Sequence, residues 1–212
     1  MVTQTHAAAS PALSPESQQK VKELRDLFAD APDTAKTALE EVIGEAAPDE
    51  PAPEGSVAPV VSAGRIGLRQ GKVSELTFIA PLSPDGAKRL RAALNLLHGN
   101  AHAADRVGTV HDMRFAFLDN DTKLLFATAY DGDWDTYIND FATKIPAYMD
   151  LLFSAISDWP GIHDPSVKDV IAKYQIQVEA WYVANPDLTV VETRRLERVG
   201  QALEEFLDKV SQ

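Results

Sequence analysis

Two short runs of alternating character, VHDMRFAFL (110–118) and KLLFATAY (123–130), flank Asp119, Asn120, Asp121 and Thr122. Asp and Asn tolerate the left-handed backbone that tight turns demand. The stretch therefore predicts a β-hairpin, and commits the chain to a sheet with antiparallel strands. Local signals supply the neighbouring elements. SELTFIAPL (74–82) predicts a strand centred on Phe78 and Ile79. SPDGAKRLRAALNLLHGN (83–100) predicts a helix with Ser83 as N-cap and Leu90, Leu94 and Leu97 on one stripe. Residues 133–156 predict a helix that Pro146 kinks or divides, and 166–175 predict a shorter one. QVEAWYVA (177–184) predicts a fourth strand, stopped by Asn185 and Pro186. Residues 193–210 predict a closing amphipathic helix with Leu196, Val199, Leu203, Phe206 and Val210 turned inward.

The resulting order, β-α-β-β-α-(α)-β-α, is an α+β class. It is the ferredoxin-like split β-α-β with a four-stranded antiparallel sheet and an extra C-terminal helix. Residues 1–73 read as an N-terminal helical segment and Pro-rich linker, and 74–212 as the ferredoxin-like α+β barrel domain. In the first part, Ser14 is placed as an N-cap ahead of Pro15. Val21, Leu24 and Phe28 then recur at helical spacing, Pro32 and Asp33 interrupt, and Leu39, Val42 and Ile43 resume. Pro48, Pro51, Pro53 and Pro59 make 47–60 a semi-extended linker. The strands carry apolar groups on both faces: Met113, Phe115 and Phe117 on one, Ala116 and Leu118 on the other. Helices cover one face of such a sheet, so a two-fold partner sheet is expected to cover the second, giving a homodimer.

Charge and residue usage narrow the function classes. The chain has 20 Lys+Arg against 32 Asp+Glu, a net charge of −12, which speaks against a nucleic-acid partner. No apolar run approaches the roughly 20 residues that span a bilayer, so no membrane partner is expected. Residues 1–13 have neither a basic start nor an apolar stretch, and the expectation is a cytoplasmic protein. The absence of cysteine excludes disulfides, thiolate nucleophiles and thiolate metal sites. No G-x-G-x-x-G, Walker loop, G-x-S-x-G or H-E-x-x-H motif occurs.

Val110, His111, Arg114 and Phe115, followed by Leu124, Leu125, Phe126, Tyr130, Asp131, Gly132, Trp134 and Tyr137, carry a resemblance. The segment 107–141 resembles uncharacterised bacterial proteins of the dimeric α+β barrel (ferredoxin-like) superfamily, distantly similar to dye-decolourising peroxidases and chlorite dismutases. The resemblance implies a homodimeric barrel enclosing a small-molecule cavity, with haem as the implied cofactor and peroxidase-like, haem- or oxygen-dependent oxidoreductase chemistry. A reading from another class stands beside it. In that reading the chain is a non-catalytic protein-interaction or structural module, whose acidic N-terminal segment docks another protein.

Arg114 and His111 are the candidate catalytic residues. Three positions apart on one strand, they are expected on opposite faces, with His111 beside Met113, Phe115 and Phe117. Arg114, inside a barrel, needs an anionic neighbour, because a lone buried guanidinium is prohibitive. Glu179 is the internal partner and an anionic ligand the alternative, so Arg114, Glu179 and Trp181 form the expected ligand pocket. His111 is equally readable as a hydrogen-bonded packing residue. His98 suits a helix C-terminus, and His102 or His163 would be the ligand of a haem or iron. Asp131, Asp133 and Asp135 alternate as in calcium loops, but the sixth and twelfth places hold Thr136 and Ala142. Asp131 or Asp133 is expected to cap the next helix instead.

Overall fold

The computed structural model describes residues 13–45, 59–97 and 102–211, so most of the Pro-rich linker and His98 lie outside the described residues. The chain divides into two compact units, Met1–Ser56 and Val57–Gln212. The first is a helical hairpin of α1 (Pro15–Leu27) and α2 (Asp33–Glu45). Ser14 Oγ accepts the Ser17 N–H at 3.2 Å, and Pro15 occupies the first turn, where its missing N–H leaves no bond unmade. Arg25 clamps the two helices through a two-point contact with Glu40 at 2.8 and 2.7 Å.

The second unit is built on one antiparallel sheet. Its strands are β1 (Val60–Ser62), β2 (Leu68–Gln70), β3 (Val73–Pro81), β4 (Val110–Leu118), β5 (Lys123–Asp131) and β6 (Gln175–Ile176). They run in the order β1-β2-β3-β5-β4, with β6 on β3 at Thr77 and Phe78. Helices α3 (Gly86–Leu97), α4 (His102–Val107), α5 (Trp134–Lys144), α6 (Pro146–Phe153), α7 (Val167–Tyr174) and α8 (Val190–Val210) complete the unit. This is an α+β architecture compatible with a ferredoxin-like fold. No helix among the described residues is long and apolar enough to cross a membrane.

Asp119, Asn120 and Asp121 all adopt positive φ, +50°, +52° and +67°, and turn β4 into β5. The register then places Met113, Phe115 and Phe117 opposite Thr128, Phe126 and Leu124 on one face. That face meets α5 and α6 in an aromatic core. Phe126 packs against Phe78, Phe115 and Phe153 at centroid distances of 5.0–5.2 Å, and Tyr130 stacks on Tyr137 at 3.8 Å. Asp133 caps α5, accepting the Thr136 N–H at 3.0 Å, and Pro146 separates α5 from α6.

Three features depart from the sequence reading. The sheet begins before residue 74, because β1 and β2 form a hairpin on β3. Residues 177–184 form no strand, and β6 holds the fourth place with two residues only. The reason is occupancy: continuing β6 would pair it with Val73 and Ser74, which β2 already takes through Gln70 and Arg69. Finally, α8 does not turn its stripe inward. Every residue from Arg194 to Val210 is exposed, Leu196 at 52% and Phe206 at 59%. Its start is tied to the end of the sheet instead. Thr189 and Glu192 form a capping box, Asp131 Oδ2 accepts the Val190 N–H at 2.9 Å, Lys72 holds Glu192 at 2.8 Å, and Arg194 pairs with Asp105.

Candidate functional site

The helix-covered face of the sheet carries a cavity of about 150 Å³. Leu94 reaches it from α3, Ala104 from α4, Met113 and Phe115 from β4, and Tyr148 and Met149 from α6. The local sequence explains the gap. The leucine stripe of α3 covers the centre of the sheet and ends at Leu97. The next helix, α4, then sets two alanines, Ala103 and Ala104, over the edge strand. Residues this small leave unfilled the space that a leucine would occupy. No lining side chain is ionisable in the ordinary range, and the Tyr148 hydroxyl is the sole polar group among them apart from methionine sulfur.

The site is partly open to solvent and its apolar lining penalises charged ligands while favouring apolar ones of about single-ring size. As it stands the space is below the roughly 300–1,000 Å³ of sites for drug-sized ligands, too small for a haem; His98 and the side chain of His102 lie outside the described residues.

The residues singled out from sequence fall elsewhere. Arg114 lies on the opposite sheet face with its side chain 67% exposed. Its ion pair is with Asp112, two positions along the strand, at 3.2 Å, and not with Glu179. Glu179 is exposed and Trp181 half-buried on the irregular segment after β6. His163 is exposed in the turn before α7, and His102 opens α4, its side chain lying outside the described residues. His111 does not share the face of Phe115. A bulge between Val110 and Asp112 rotates it out of register, and its Nε2 meets Asp131 Oδ1 at 2.7 Å. Asp131 thus joins the β4–β5 edge to the first turn of α8, which makes both residues organisers of that junction.

Comparison with protein-family models, with curated proteins and with solved structures finds no match to this chain.

Glu75 is the charged residue that pattern reading missed. It is 3% exposed on β3, where alternation alone predicts a solvent-facing carboxylate. Its Oε1 accepts the Leu68 N–H at 2.9 Å and its Oε2 the Thr77 hydroxyl at 3.0 Å. Burial pushes its pKa up, while these two hydrogen bonds oppose the rise. Beside it, the Trp134 indole N–H donates to Gln175 Oε1 at 2.8 Å, and Gln175 Nε2 donates to the Ile66 carbonyl at 2.6 Å. This polar layer staples the β1–β2 hairpin to the sheet. Among the described residues no cluster of three His, Asp or Glu is arranged to hold a metal ion.

Proposed function

We propose that the second unit is a binding module for a small, uncharged, largely apolar molecule, held in the cavity between the sheet and α3, α4 and α6. One observation carries this reading: a cavity of about 150 Å³ whose lining is apolar apart from the Tyr148 hydroxyl. An aromatic ring with a single polar substituent matches that lining, the ring filling the void and the substituent meeting Tyr148. The oxidoreductase reading is less favoured, because the groups it relied on, Arg114 and His111, lie on the other face or serve the α8 junction.

The test is a thermal melt with benzene, and in parallel with indole, against the wild type and Ala104→Leu. Selective binding to the folded state raises the melting temperature with ligand concentration. The wild type should respond at millimolar ligand, and Ala104→Leu, which fills the site, should not. A wild type indifferent to both probes would reject the reading. Stoichiometric uptake of hemin with a sharp Soret band would return the haem alternative.

A further inference from the structure

We propose that α4 is the gate of the apolar cavity and that Arg194, reaching it from α8, is the latch. The inference rests on the binding reading above and concerns how a ligand enters. The cavity walls are not equally fixed. Helices α3, α5 and α6 send Leu90, Phe141, Met149 and Phe153 into the core, where each is at most 7% exposed. Helix α4 brings Ala103 and Ala104 to the wall, both half-buried, so little apolar area holds that half of the helix down. At six residues it is also too short to be stable without packing.

The C-terminal end of α4 is pinned. Val107 is 2% exposed in the core, and the Lys144 ammonium donates to its carbonyl at 2.9 Å. Gly108 follows at φ +79°, and an added Cβ there would meet nothing closer than 4.0 Å, so the backbone beside the pin has room to turn. A swing about Val107 and Gly108 lifts Ala103 and Ala104 away and opens the cavity. Ahead of the pin, Arg194 pairs with Asp105. The helix that carries Arg194 does not yield, because Asp131 and Lys72 fix the start of α8 to the end of the sheet. The pair therefore joins a movable wall to a fixed strut. Its side chains are 46% and 45% exposed. An ion pair so exposed favours the closed state by a factor of about 2–5, enough to bias the gate and too little to lock it.

The test needs no ligand, and uses the lack of cysteine to place one thiol at a time in the full chain. Met149→Cys puts a thiol on the cavity wall, where the native side chain is 7% exposed. Ala80→Cys puts one in the core outside the cavity, at a residue that is 0% exposed. Labelling by an aromatic disulfide reagent then reads how often each thiol is uncovered. Adding Arg194→Ala should speed labelling of Met149→Cys about 2- to 5-fold and leave Ala80→Cys unchanged, while Arg194→Lys, which keeps the cation, should stay near the parent rate. Leu152→Cys, also on the wall and 9% exposed in the native chain, replaces Met149→Cys if that variant lowers the melting temperature. Equal acceleration of both thiols overturns the proposal, since Arg194 would then stabilise the whole unit. A wall thiol that reacts as fast as an unfolded one in a chain of native melting overturns it too, because the cavity would stand open without α4 moving. Faster wall labelling in a chain that ignores benzene and indole would reject the binding reading and keep the moving wall. A benzene response with unchanged wall labelling would reject the gate and keep the binding reading.

Discussion

Replacing Ala104 with leucine tests whether the space under the sheet is a genuine void. The space beside Ala104, about 150 Å³ and partly open to solvent, is one that a larger side chain on α4 can reach. Leucine adds three carbons at the cavity wall, worth about 0.8 kcal/mol each when buried, and loses roughly 0.5–1 kcal/mol of side-chain freedom. Alanine and leucine are both strong helix formers, so α4 itself changes little. The net expectation is a gain of about 1.5 kcal/mol, or a rise of roughly 3–6 °C in melting temperature for a domain of this size. Urea unfolding followed by tryptophan fluorescence reads it directly, since Trp134 is fully buried and Trp159 half-buried against Phe153. The midpoint should rise at constant slope, because the surface exposed on unfolding is nearly the same. The benzene response should vanish in the same variant. A loss of 1 kcal/mol or more at unchanged slope would refute the reasoning, for it would mean that the space is already filled. A retained benzene response would place the ligand elsewhere.

Glu75 governs a pH dependence of definite sign. Its folded-state pKa is raised by burial, so between the ordinary carboxylate range and that raised value the folded chain binds more protons than the unfolded one. Glu75 therefore costs stability as pH rises through that window; Glu75→Gln should remove this component, visible as the difference between wild-type and variant urea midpoints across pH, and an identical pH profile would sink the assignment. Gly67→Ala should destabilise by about 2 kcal/mol or more in chemical unfolding. Gly67 sits at φ +104°, and an added Cβ would lie 2.5 Å from the Glu75 carbonyl oxygen. An Ala variant with wild-type stability would show that the hairpin turn relaxes freely. Asp131→Ala removes the acceptor for both His111 and the Val190 N–H, and should cost about 1–3 kcal/mol with loss of helical circular dichroism from α8. Unchanged helicity and melting would mean that α8 is anchored by its capping box and Lys72 alone.

What could be read from sequence was whatever depends on neighbours in the chain. The hairpin at Asp119–Thr122, the break at Pro146, the Ser14 cap and the three long strands are all local: each follows from turn chemistry, ring closure or alternation within a few residues. What escaped depends on competition between distant segments. Residues 177–184 have strand character, but the edge they would use belongs to β2, and no local signal in QVEAWYVA encodes that. Glu75 shares the periodicity of a surface carboxylate; its burial is imposed by Leu68 and Ile66, from a hairpin too short to announce itself. His111 changed face because one extra residue entered β4, and a period-two argument reverses with every such insertion. The cavity is a deficit of volume at Ala103 and Ala104, and hydrophobic pattern, which records polarity and not size, is blind to it. The stripe on α8 was visible from the start, yet an apolar stripe states only that a cover is needed. Leu196, Val199, Leu203, Phe206 and Val210 keep helical spacing, but no local signal tells whether another segment of the second unit will lie on them, and none does: each is at least 52% exposed.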